Sequence, residues 1–252
     1  MKEHLRAGLD SQLLDAPCFV EDTEDMFWLR EADDYQSRVD YGNALAAQYR
    51  FKEAVEAYKN ALKIRSDDWK LLNRLAGAEL TLRRFDEAMA RYHRCLEVGA
   101  DKKAIAYPLG IGCFLQKDYK AAATWFESCM PCDDEMAIAV IYWHTLSCYR
   151  CGRVQILLKG YHADMDIGHH TAYRLVVSVF CGELDLEVAL KRVEHETDDL
   201  NYVIALYGLC GYLDSTGQKN DSVWYLNQLL KHDKFWPCVS YLAAWNDANR
   251  TG

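Results

Sequence analysis

The sequence predicts an all-α chain, an α-solenoid of about six helical hairpins with a C-terminal capping helix. Three observations predict this class. Helix-forming residues dominate between short breaks, and 252 residues contain only 4 prolines and 14 glycines. Three segments superimpose without a gap at a period of 34 residues. Beyond them, apolar helix-like runs continue, each ending at a glycine.

Residues 1–34 form an acidic N-terminal segment with three basic and ten acidic residues, which accounts for most of the formal net charge of −9. Asp10–Asp25 reads as mobile, whereas Thr23 stands where it caps a short helix carrying Met26, Phe27, Trp28 and Leu29. That helix either caps the first hairpin or folds back to occupy a binding groove until a partner displaces it.

Residues 35–136 form the three regular hairpins, and their markers fall in columns. Gly42, Ala76 and Gly110 share one, Ala54, Ala88 and Ala122 another, Tyr58, Tyr92 and Phe126 a third, and Ala61, Cys95 and Cys129 a fourth. Small residues stand where two helices cross closely, and large aromatics fill the space beside the crossing. Pro108 interrupts the first helix of the third hairpin, so that helix is expected to start late.

Residues 137–234 continue as three degenerate hairpins. Their internal breaks at Gly152, Gly182 and Gly217 follow Tyr49, Arg83 and Lys117 at intervals of 34, 34, 35, 30 and 35 residues. Residues 235–252 hold the capping helix and a tail, with Phe235, Trp236, Tyr241, Leu242 and Trp245 covering the last exposed apolar face.

The columns resemble the tetratricopeptide repeat (TPR) family, whose pattern W-x2-L-G-x2-Y…A-x3-F…P has the same length and order. The matching words are Tyr41-Gly42, Ala54-x3-Tyr58 and Ala61; Leu75-Ala76, Ala88-x3-Tyr92 and Cys95; Leu109-Gly110, Ala122-x3-Phe126 and Cys129. The tryptophan column reads Arg38, Leu72, Ala106, and the proline column Ser66, Ala100, Asp134. The resemblance implies a right-handed superhelix and a non-enzymatic scaffold that binds a peptide or protein segment in a concave groove lined by the first helix of each hairpin. On this chain the groove candidates are Val39, Asn43 and Asn73, with Lys70 and Gly77 nearby, then Tyr107, Ile111, Phe114, Tyr142, Leu146, Tyr149 and Arg150. The aromatic run suits an apolar or proline-containing peptide, and asparagines bond peptide backbone. The alternative is that these rings pack on one another or on the C-terminal hairpins. A TPR subtype that holds a chaperone tail's carboxylate is matched only at Asn43, since Val39, Ala104 and Pro108 stand where polar groups are needed. A weaker likeness, over residues 35–152, is to TPR chaperones of type III secretion, which hold hydrophobic client segments.

Two clusters raise the question of metal chemistry. Cys129-Met-Pro-Cys132 and Cys148-Tyr-Arg-Cys151 have the C-x2-C-x15-C-x2-C spacing of a four-thiolate zinc site. A regular helix between the pairs separates them by about 18 Å at 1.5 Å per residue, too far for one ion, so the thiols read as buried fillers of small apolar slots. His162, Asp164, Asp166, His169 and His170 gather in an interhelix loop, where a metal-dependent activity is the least favoured reading. No P-loop, GxGxxG, HExxH, GxSxG or kinase pattern occurs, and no enzyme or cofactor is expected. An acidic chain without a basic block has no footprint for nucleic acid or an anionic membrane. With no signal-peptide layout, the expectation is a cytoplasmic monomer or homodimer whose partner is a protein or peptide.

Overall fold

The computed structural model describes residues 22–248. Most of the acidic stretch expected to be mobile, and the last four residues of the tail, lie outside the described residues. The described residues contain helices and no strands. The helices are α1 (Glu24–Glu31), α2 (Tyr35–Ala47), α3 (Phe51–Ile64), α4 (Trp69–Thr81), α5 (Phe85–Glu97), α6 (Lys102–Leu115) and α7 (Tyr119–Glu127). They continue as α8 (Asp134–Cys151), α9 (Thr171–Phe180), α10 (Leu186–Glu194), α11 (Asp199–Ser215), α12 (Lys219–Leu229) and α13 (Val239–Ala248), with a 3-10 turn at Ile156–Gly160. Contacts divide the described chain into two units that meet at Gly112 and Cys113, within α6.

One local device shapes the turn inside each hairpin. Tyr49, Arg83, Lys117, Gly152, Gly182 and Gly217 all have positive φ, between 61° and 85°. At each turn the next residue's N–H donates to the carbonyl five residues back: Arg50 to Leu45, Arg84 to Glu79, Asp118 to Cys113, Arg153 to Cys148, Glu183 to Ser178 and Gln218 to Leu213, at 2.9–3.1 Å. This left-handed helix stop satisfies the last carbonyls and reverses the chain. Three of the six sites carry residues other than glycine, which hides the repetition from a search for glycine alone.

In the N-terminal unit, α2 packs on α3, α3 on α4 and α4 on α5. The Gly42 column follows from close approach, because a Cβ there would collide with the ring of Tyr58 on α3. Ala54, Ala61, Leu75, Ala76, Ala88 and Cys95 are fully buried. The helix start in the third hairpin departs from expectation: α6 runs through Pro108 from Lys102. The Asp101 carboxylate accepts the Lys103 N–H at 2.7 Å and sets the start a turn and a half earlier. Within the helix Pro108 forfeits the bond its absent N–H would have made to the Ala104 carbonyl, and its ring crowds that carbonyl.

In the C-terminal unit, α8 is the central rod. Every residue from Ala137 to Cys148 is buried, a helix covered on all sides that takes the polar His144, Thr145 and Ser147 into the core with it. It packs against α7, α9, α11 and the 3-10 turn, which alone forms the second arm of the fourth hairpin. The closing helix starts at Val239 rather than 235, since Pro237 biases the residue before it away from helical geometry and leaves Phe235 and Trp236 in the preceding turns.

Candidate functional site

The first helices of hairpins one and two are pinned together at their starts. Tyr35 on α2 donates its hydroxyl to Asp68 Oδ2 at 2.7 Å, and Asp68 caps α4 by accepting from the Lys70 and Leu71 N–H groups. Burial first, and then the Asp68 carboxylate, push the Tyr35 hydroxyl up to about 12. Further along, Asn43 Oδ1 accepts from Tyr58 Oη at 3.0 Å and from Arg74 Nη1 at 2.5 Å, so α2, α3 and α4 meet at one amide. Its nitrogen donates to no described residue, and the Asn73 amide makes no hydrogen bond among the described residues. One turn beyond Asn73, apart from Gly77's chain neighbours and its own helix backbone, no atom of the described residues lies within 4 Å of where a Cβ on Gly77 would stand. Lys70 is exposed and Tyr107 half-buried, whereas Val39 and Ile111 lie in the core.

The aromatic candidates of the C-terminal unit are packed among themselves. Phe114, Tyr142 and Leu146 are buried. Phe114 meets the rings of Tyr119, Trp143 and Tyr207 edge-on at 5.2, 5.0 and 6.4 Å. Tyr142 donates its hydroxyl to the Ile204 carbonyl at 2.8 Å, and burial holds that hydroxyl protonated far above its ordinary range. Tyr149 stands edge-on to Phe180 at 5.4 Å and Tyr212 at 6.4 Å. Arg150 donates to Asp214 at 3.1 Å and to Asp247 at 2.7 Å, with Tyr207 also bonded to Asp247. It is therefore a strut joining α8, α11 and α13. Gly208 and Gly211 make the closeness possible, for a Cβ at either would strike Tyr142 or Leu146. This glycine pair, one helical turn apart on α11, is the signal that reading the groove by repeat position missed.

Helix α1 lies on α2, with Met26 buried beside Val39, Leu45 and Val55, while Phe27 and Trp28 are exposed. Asp22 bonds Arg50 Nη1 at 2.5 Å and Arg30 Nη1 at 3.3 Å, closing the segment onto the first hairpin.

The thiol chemistry is muted by burial. Cys148 Sγ lies 3.6 Å from His144 Nε2, which is 3.2 Å from Glu127 Oε1, an order reminiscent of a nucleophile relay. Yet burial raises the Cys148 thiol to about 12 and lowers His144, so neither the thiolate nor the imidazolium is favoured. Cys132 and Cys151 stand at opposite ends of the 18-residue α8, about 25 Å apart at 1.5 Å per residue. In the histidine loop, His162 pairs with Asp164 at 2.8 Å, while His169 and His170 turn to Glu135 of α8, a residue outside the sequence cluster. A hollow of about 490 Å³ among α9, α10 and α11, lined by Tyr161, Arg174, Ser178, Arg192 and Asn201, had no sequence signature.

A family model described as tetratricopeptide repeat matches residues 45–109. The matched span runs from the end of α2 into α6 and contains Asn73, Arg74 and Gly77. A search of curated proteins gives no match. Among solved structures, YrrB, described as a TPR protein with an unusual peptide-binding site, is 13% identical, with 85% of this chain and 96% of that chain covered and a TM-score of 0.45. A Naa15/Naa10 structure bound to HypK-THB is 17% identical, with 82% of this chain and 33% of that chain covered and a TM-score of 0.39.

Proposed function

We propose that the protein is a non-enzymatic interaction scaffold that holds an extended protein segment on the α2–α4 face of its N-terminal unit. The observations that carry this reading are the unused N–H donors of the Asn43 and Asn73 amides and the open space over Gly77, one helical turn from Asn73. Such amides bond the carbonyls of an extended backbone, and a gap above a glycine admits one of its side chains. Each exchange of water for a peptide carbonyl contributes about 0.5–1.5 kcal/mol, so specificity comes from several such bonds together with the side chain seated over Gly77. The Arg74 guanidinium, held by Asn43, places a cation at the same face and favours a segment with an acidic residue. The C-terminal aromatic candidates support the fold in this reading and do not contact the segment.

The test is selection of binding peptides from a random display library, followed by affinity measurement on wild type, Asn73→Ala and Gly77→Leu. Both substitutions fall at half-exposed positions of α4, so the fold is expected to survive. A loss of about tenfold or more in each supports the reading, taking removal of one or two hydrogen bonds as about 1–2 kcal/mol. Peptides that bind both variants as tightly as wild type would overturn it.

A further inference from the structure

We propose that Glu135, His169 and His170 form a zinc-class divalent metal site that clasps the start of α8 to the start of α9. One donor atom from each residue lies within 4.8 Å of the other two. The finer distances are more telling. His169 Nδ1 and His170 Nδ1 each stand 3.4 Å from Glu135 Oε1. That is longer than the roughly 2.7–3.2 Å of an N–H···O hydrogen bond. It equals the edge of a tetrahedron about an ion with metal–ligand bonds of about 2.0–2.1 Å, which is about 3.4 Å.

Other features of the loop point the same way. His170 Nδ1 is buried and makes no hydrogen bond among the described residues. A Cβ on Gly168, whose φ is +52°, would stand 3.1 Å from Glu135 Oε1, so glycine keeps the carboxylate's approach open. Asp134 Oδ2 accepts the Asp166 N–H at 2.9 Å and anchors the same loop to the same helix turn. Two imidazoles and one carboxylate suit zinc among common divalent ions and disfavour calcium or magnesium, which take oxygen ligands. Three protein donors leave a fourth position open. The chain between Gly152 and His170 holds only a 3-10 turn, so the ion would fix a long connection that has little helix of its own.

The experiment is titration of metal-stripped full-length protein with Zn²⁺ by calorimetry, with Co²⁺ absorption as the report on geometry. His169→Ala, His170→Ala and Glu135→Gln are compared with wild type. His169 is 86% exposed, so its substitution leaves packing intact and isolates the ligand role. The expected result is one ion per wild-type chain, tetrahedral Co²⁺ bands, a rise in melting temperature with Zn²⁺, and at least about a tenfold loss of affinity in each variant, since even outer residues of metal sites cost 10–100-fold. Absence of binding to wild type, or uptake that all three variants retain through the thiols, would overturn the assignment.

Discussion

Substituting alanine at Gly208 tests the packing that removes the aromatic candidates from the surface. In an exposed helix the change would stabilise by about 1 kcal/mol through propensity. At position 208 the new Cβ would stand 2.5 Å from the Tyr142 ring and 2.6 Å from Val176 on α9. Retreat of the ring breaks the Tyr142–Ile204 hydrogen bond, about 1 kcal/mol, and overpacking itself costs about 1–3 kcal/mol. The balance is a net loss of about 1–3 kcal/mol. With a urea slope near 3 kcal/mol/M for a chain of this size, the midpoint should fall by about 0.3–1 M. Gly77→Ala is the matched control, because its Cβ meets nothing within 4 Å, and its midpoint should rise by about 0.3 M. The assay is urea unfolding followed by far-UV circular dichroism. A Gly208→Ala midpoint at or above wild type would refute direct packing of α8 on α11.

Three further outcomes follow from the same structure. Glu79 is 1% exposed and burial raises its carboxyl above 4.5, so its ionisation opposes folding as pH rises through that range; Glu79→Gln should raise the urea midpoint at pH 7, with the gap closing below about pH 4.5. Removing residues 1–31 deletes the buried Met26 and the Asp22–Arg50 pair, and should lower the melting temperature by several degrees if α1 is a cap, whereas an unchanged melt would favour a displaceable segment. Iodoacetamide at pH 8 should label exposed Cys181 in the native protein and spare Cys148 until urea is added, read by mass spectrometry; early labelling of Cys148 would contradict its raised thiol.

The repeat was legible because its columns are spacing constraints: Gly42 against Tyr58 is a contact any reader of the pattern can anticipate. The helix stops were also legible as breaks, since Tyr49, Arg83 and Lys117 align with the later glycines, and all six have positive φ. What failed was the step from repeat position to exposure. By repeat position Tyr142 and Leu146 line the concave groove, yet α11 offers two glycines and closes on α8 over them. The run Ala137–Cys148 held that information, because nine of its twelve residues are apolar and they fall on every side of the helix, so a helix of this composition is covered all round. Glu135 was missed beside the histidine loop because 34 residues separate it from His169, and sequence clustering sees only neighbours.

Site-specific photo-crosslinking reads out directly whether the α2–α4 face meets a protein segment. A benzophenone amino acid at position 73, compared with one at the exposed position 93 on α5, is irradiated in the protein's own cells and the adducts are mapped by mass spectrometry. The expected result is a discrete adduct from position 73, abolished by Gly77→Leu, and none from position 93. Adducts from position 93 alone, or from neither position, would contradict it.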